Sequence, residues 1–311
     1  MKNVADRKAL IADISLLLVA LIWGGGFIAA KIALSCVTPF YLLAFRFMCS
    51  GLLLVAIFFK KISKIDKKSI LSGIVLGIIL YVGQTLQTIG LKYTDAGRQA
   101  FLIASYTVLV PFISWMLTKK KPTILSILSG FLTLIGIGLL SLQQSLSLTY
   151  GDTLTLLFAI MFAFQIVFIG LYAKNIDPIH LTTIQLLTAG TLASISALIF
   201  EQTIEFINYQ SMTGILYLVI FNTTIAFLVQ NIAQKYTSDT HTSIIISLEA
   251  IFGCFLSIIF LGEVFTKRMF IGSILIFIAV ILSQANNNKI LNFKDIKINS
   301  QNDKQAITHT K

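Results

Sequence analysis

Two stretches, ADISLLLVALIWGGGFIAAKIAL at residues 12–34 and DTLTLLFAIMFAFQIVFIGLYA at residues 152–173, settle the fold class. Each is an almost uninterrupted apolar run of the length an α-helix needs to cross a bilayer, about 20 residues. Runs of the same kind lie at 39–59, 70–91, 97–118 and 123–142, and again at 179–200, 212–234, 240–261 and 268–285. The pattern predicts an all-α polytopic membrane protein with ten transmembrane helices. Composition agrees: of 311 residues 56% are apolar and 12% charged, and mean hydropathy is +0.88, too little charge to coat a soluble globule of this size.

The net charge of +11 would raise nucleic acid as a partner in a soluble chain. Here the basic residues sit in short breaks between apolar runs, with no basic face, so nucleic acid is set aside. Eighteen of the twenty-four Lys and Arg fall on the side that holds the N-terminus, among them Lys60, Lys61, Lys119 to Lys121 and Lys235, and four fall on the other, Lys92, Arg98, Lys267 and Arg268. Positive loops stay in the cytoplasm, which predicts both termini there and a multi-pass protein of the inner membrane. The first apolar run follows Lys2, Arg7 and Lys8 as a signal peptide would, but it is long and lacks a small-residue cleavage pattern, so it reads as a retained span. Cys36, Cys49 and Cys254 show no CxxC spacing and read as packing residues, with no disulfide or metal.

A shift of 139 residues puts Asp13 on Asp152, Pro39 on Pro178 and Arg46 on Gln185; a shift of 143 puts Lys92, Tyr93, Thr94 on Lys235, Tyr236, Thr237. Residues 12–142 and 152–285 therefore read as two copies of one five-helix unit. An odd number of spans inverts the second copy, and inverted repeats are typical of carriers whose site lies at the repeat interface near the midplane. Residues 1–11 form a cytoplasmic N-terminus, and residues 286–311, polar and aperiodic, a disordered cytoplasmic tail.

Charge inside hydrocarbon costs at least ~2.5 kcal/mol per residue, so each buried charge needs a partner, a wet cavity or a route to the interface. Glu249 sits midway along its span, too deep for a short carboxylate to reach water. It reads either as a cavity carboxylate for a cationic group or a proton, or as a structural ion pair with Arg46. Its repeat position is Tyr106. Arg46 reads as facing the cavity, because its counterpart Gln185 is also polar; Lys31 is close enough to a span end to snorkel. Gln84 with Gln87, and Gln230 with Gln234, share helix faces, and Gln165 adds another amide suited to a zwitterionic or polar solute. Trp23, ahead of Gly24 to Gly26, can stack on an organic substrate, the glycines permitting close helix approach. The candidate substrate-binding set is Trp23, Arg46, Gln84, Gln87, Tyr106, Gln165, Gln185, Gln230 and Glu249. Gly73 with Gly77 reads as a packing pair and Pro111 as a kink. His180 and His241, at span ends, are expected to be solvated.

Walker, Rossmann, GxSxG and HExxH patterns are absent from the sequence, which leaves a non-enzyme without cofactors that is driven by an ion gradient or by exchange. The chain resembles bacterial EamA-type members of the drug/metabolite transporter superfamily. The resemblance is carried by Trp23, Gly24, Lys31, Pro39 and Arg46, by Gly90 to Thr94, by Gly151 and Asp152, and by Gln230 to Thr237, Ser247 to Glu249, Gly262 and Glu263. Two departures stand out: Ala250 replaces a proline after Glu249, and Thr118 to Lys120 replace a Gly-Glu pair. The resemblance implies an inner-membrane carrier with a central cavity, commonly an exporter of amino acids or related metabolites. A proton or other ion as coupling partner, multidrug or hydrophobic-cation efflux as an alternative, and a non-transporting membrane receptor or assembly protein as a reading of another class remain open.

Overall fold

The computed structural model describes residues 2–94, 99, 102–141, 148–202, 208–261 and 267–283. Among them all regular structure is helical. The first half holds α1 (Lys2–Ala33), α2 (Pro39–Ala44), α3 (Ser50–Ile57), the single turn α4 (Phe59–Ile62), α5 (Lys67–Gly90), α6 (Tyr106–Thr118) and α7 (Ile124–Ser141). The second half holds α8 (Tyr150–Tyr172), α9 (Pro178–Phe200), α10 (Tyr209–Tyr217), α11 (Ala226–Ala233), α12 (Asp239–Ile246) and α13 (Glu249–Leu261), followed by α14 (267–283). Two wide π-helical turns, π1 (Phe45–Cys49) and π2 (Leu218–Ile225), splice α2 to α3 and α10 to α11.

Six of these rods, counted across the π-turns, are long and apolar enough to cross a membrane. The other four expected spans are helical as well, in the shorter α6, α7 and α14 and in the interrupted pair α12 and α13. The bundle is apolar outside as well as inside: Leu71, Leu198, Ile199 and Ile281 are at least 65% exposed, which only lipid makes tolerable. The chain is a multi-pass membrane protein. The expected tail at 286–311 and the Gly262, Glu263 pair lie outside the described residues, and α1 already begins at Lys2 inside the expected N-terminal segment.

Local chemistry starts and stops the rods. Thr149 and Asp152 form a reciprocal capping box at α8, Asn208 caps α10 and Ser238 caps α12, and Pro39 and Pro178 occupy first-turn positions where their missing N–H is no loss. At the far end from the N-terminus Glu201 leaves α9 and accepts from Thr38 Oγ1 at 2.6 Å, Phe40 N at 3.1 Å and Tyr41 N at 3.0 Å, so the second half caps α2 of the first. Lys119 ends α6 at φ 60°, a left-handed position usually filled by glycine. The 143-residue shift puts it on Gly262.

Asp177 caps α9 through Ile179 N at 2.9 Å and pairs with Lys61 at 2.7 Å. Partial burial opposes its ionisation, but the Lys61 and Ile179 contacts outweigh it and hold the carboxyl below its usual range. The cap contribution is complete above the unfolded value, about 4, and fades as pH falls through the lower folded value. Asp177→Ala is expected to lose about 1 kcal/mol near neutrality, with the exposed ion pair adding little. Thermal unfolding of both proteins should show that gap closing in strong acid.

Two glycines pack α5 tightly on α9. A methyl at Gly77 would stand 2.7 Å from Gln185 O, and one at Gly73 2.5 Å from Ile184 Cβ, so this pair works in helix packing. Elsewhere α5 lies along α8, and α1 lies against α10, π2, α11 and α13. Two helix breaks occur at mid-depth. Ala104–Ser105 precede α6 and Ser247–Leu248 precede α13, 143 residues apart. Each has the same tight bonds: Ser105 N to Leu102 O at 3.2 Å and Thr107 N to Ala104 O at 3.0 Å, matched by Leu248 N to Ile245 O at 3.1 Å and Ala250 N to Ser247 O at 3.2 Å. Pro111 lies inside α6 beyond its break.

Candidate functional site

The first glycine run brings the site together. A methyl at Gly24 would stand 2.8 Å from Gly253 N and 2.9 Å from Glu249 O, and one at Gly25 2.6 Å from the Tyr217 hydroxyl. With no side chains there, α1 closes on α13 and on α10, and Tyr217 Oη donates to Ile22 O at 2.8 Å. Trp23 is thereby aimed inward. Its indole N–H donates to Asn222 O at 2.9 Å, and its ring meets Phe162 at 5.7 Å and Phe227 at 5.4 Å between centroids. Phe162 also stacks on Phe158 and takes Tyr106 edge-on at 4.9 Å.

Arg46 lies within π1 and only 7% of it is exposed. Its Nε donates to Thr223 Oγ1 at 3.3 Å, Nη1 to Gln84 Oε1 at 3.3 Å and Nη2 to Asn222 Oδ1 at 3.0 Å. Asn222 and Thr223 are consecutive residues of π2, so the two wide turns meet at this guanidinium. Wide turns of this kind often occur at functional sites. All three acceptors are neutral, so the charge itself has no counter-ion among its contacts, and two of the five guanidinium N–H groups remain to donate.

Trp23, Arg46, Gln84, Phe158, Phe162, Asn222 and Phe227 line one cavity, with about 710 Å³ of empty space counted together with its open mouth. It runs from Trp23, Phe162 and Glu249 at mid-depth to Leu34 and Leu91 at the end of the bundle away from the N-terminus. Glu249 opens α13, in the first turn beyond the helix break. No described residue hydrogen-bonds or ion-pairs with it, and Arg46, on the same cavity, makes its bonds elsewhere. The guanidinium and the carboxyl group share the space without closing on each other.

Of the nine residues singled out in the sequence, Trp23, Arg46, Gln84, Gln87 and Glu249 line this cavity. Tyr106 is fully buried behind Phe162, and Gln165, Gln185 and Gln230 are fully or almost fully buried away from the lining. Phe158, Phe162, Phe227, Asn222, Thr88 and Gln99 line the cavity outside that set. A signal for one of them existed: the 139-residue shift puts Trp23 on Phe162. Lys31 is exposed, as snorkelling requires.

The histidine expectation fails for His241. It is 1% exposed, with Nε2 3.1 Å from Asp13 Oδ1 and Nδ1 3.0 Å from Ser283 Oγ. A helix terminus is wet only if nothing packs on it, and here α1 and α14 both do. This cluster, with Lys8 over the Tyr236 ring at 5.7 Å, closes the bundle at its N-terminal end. His180 meets Lys61 O at 3.0 Å near the surface.

The model of the EamA-like transporter family matches residues 10–142 and again 149–284. The chain belongs to that family. This EamA-type chain is 34% identical to an uncharacterized transporter of Archaeoglobus fulgidus over 88% of its own length and 86% of the relative's. It is 24% identical to the uncharacterized transporter YoaV of Bacillus subtilis, covering 83% and 91% of the two chains. A WAT1-related chloroplastic protein of Arabidopsis thaliana shares 25% identity over 84% of this chain and 66% of its own. A solved crystal structure superposes with a TM-score of 0.75 at 15% identity, covering 90% of this chain and 98% of that one, and so shares the fold. The EamA-type drug/metabolite transporter assignment made from the sequence holds, and the chain is a membrane transporter.

Proposed function

We propose that the chain is a secondary carrier moving small polar metabolites, amino acids or their derivatives, across the cytoplasmic membrane by alternating access, with efflux the favoured direction. In this reading ten spans form two inverted repeats, 12–142 and 152–285, both termini are cytoplasmic, and the cavity faces the outside. The observation that carries it is the Arg46 guanidinium and the Glu249 carboxyl group on one cavity without contact between them. A solute with its own carboxylate and ammonium completes both. The carboxylate takes the remaining N–H groups of Arg46, the ammonium faces Glu249, and Gln84 and Gln87 serve polar side chains. A proton or another ion, or a counter-solute, supplies the drive.

Efflux or counterflow of a labelled amino-acid panel from proteoliposomes tests the proposal. Saturable movement of at least one zwitterion supports it, and movement of none by folded protein overturns it. A second reading, efflux of hydrophobic cations, is favoured by the aromatic wall of Trp23, Phe27, Phe158, Phe162 and Phe227 beside Glu249. Arg46→Gln separates the two readings: it stops zwitterion flux and spares cation flux.

A further inference from the structure

Apart from the open cavity, the second half holds a further set of polar side chains that are shut away from it. Gln165, Gln185, Gln230, Asn231 and Thr242, on α8, α9, α11 and α12, are at most 2% exposed. Asn231 Nδ2 donates to Thr182 Oγ1 at 2.7 Å and Gln185 Oε1 at 3.2 Å, and Gln230 Nε2 to Gln234 Oε1 at 3.1 Å. Yet Gln165 Nε2, Gln185 Nε2, Gln230 Oε1, Asn231 Oδ1 and Thr242 Oγ1 have no partner among the described residues. A core that is always dry does not hold so many unmatched donors and acceptors together.

The repeat offsets give these residues a meaning. Gln87, Thr88 and Gln99 of the open cavity, moved by 143 residues, become Gln230, Asn231 and Thr242; Gly26 and Arg46, moved by 139, become Gln165 and Gln185. Each of these five is thus the counterpart of a residue lining the open cavity. The two helix breaks obey the same offset. We infer that this cluster is the cytoplasmic leg of the solute pathway, collapsed in this structure and wetted when the cavity closes at its other end. This inference rests on the carrier reading and names the residues of the state not seen. The closure at Asp13, His241 and Ser283 stands between this leg and the cytoplasm.

The two legs are alike in amides and unlike in charge. The open one carries Arg46 where the shut one has Gln185, so a carboxylate finds its cation only on the first. In the cytoplasmic leg the solute is held by hydrogen bonds to amides, and its carboxylate meets a fixed cation only where the leg joins the outer cavity at Arg46.

The test is thiol accessibility in a chain carrying Cys36→Ala, Cys49→Ala and Cys254→Ala, with single Gln87→Cys, Gln230→Cys, Gln185→Cys or Ala189→Cys replacements. Ala189 is fully buried one turn from Gln185 and serves as the dry reference. Right-side-out and inside-out vesicles are treated with a membrane-impermeant maleimide, and peptides are mapped. The thiols at 230 and 185 are expected to react only from the cytoplasmic side, at roughly 0.1–10% of the rate of an exposed thiol, the share of time a minor state is open. The thiol at 87 reacts only from outside, and that at 189 from neither side. Thiols at 230 and 185 as unreactive as that at 189, in vesicles that still move solute, overturn the inference and leave the carrier reading standing. The paired labelling pattern with no flux of any solute shows that the set opens to the cytoplasm, but overturns its role as a solute leg together with the carrier reading.

Discussion

Arg46→Met abolishes zwitterion flux and lowers thermal stability, whereas Arg46→Lys keeps the fold and still transports poorly. The reasons are separable. Methionine removes the cation and leaves Gln84 Oε1, Asn222 Oδ1 and Thr223 Oγ1, on buried residues, without their donor. Each orphaned buried oxygen costs about 1–3 kcal/mol. Lysine keeps the charge, but a single ammonium cannot reproduce a planar fork that meets three oxygens and a substrate together. Loss of one charge-assisted contact to the solute, about 1.5–3 kcal/mol, weakens binding roughly 10- to 100-fold. Flux in proteoliposomes beside thermal unfolding of the same samples reads both effects. Wild-type flux in Arg46→Met would remove the guanidinium from the transport cycle.

Gly24→Ala is the second large effect, and it is steric. The new methyl would stand 2.8 Å from Gly253 N, 2.9 Å from Glu249 O and 2.9 Å from Phe252 Cβ. Two of these are main-chain atoms of α13, so relief requires α1 and α13 to part, at a cost of about 1–3 kcal/mol for overpacking. Glu249 moves with its own carbonyl. The expected result is a lower yield of folded protein and little flux from what remains. Gly253→Ala at the same crossing meets only Gly24 O at 3.5 Å and Gly24 Cα at 3.9 Å, ordinary contact, and should be near neutral. Equal behaviour of the two alanines would mean the crossing is looser than described.

The helical rods were legible because a bilayer imposes a length on apolar runs: six predicted segments match helices long enough to span, and the other four are shorter or interrupted helices over the described residues. Arg46 and Glu249 were legible because isolated charge in such a run needs a reason. The breaks at Ala104–Ser105 and Ser247–Leu248 were not, since serine, leucine and alanine in those runs are ordinary helix residues and the tight bonds come from packing. The π-turns were hidden for the same reason, and with them the joint use of Asn222 and Thr223 by one guanidinium. His241 misled because sequence position gives depth along a span but not what lies beside it at that depth. Gln165, Gln185 and Gln230 were rightly marked as inward-facing, yet burial alone does not put a side chain on the open cavity.

His241 touches Asp13 near the beginning of the helical body and Ser283 at the end of the described chain. The start and finish of the bundle are therefore neighbours, while Tyr150, the first residue of α8, is reached from α7 across a short connector. A chain opened between residues 141 and 150 and closed from 283 to 13 would therefore have only a short gap to bridge.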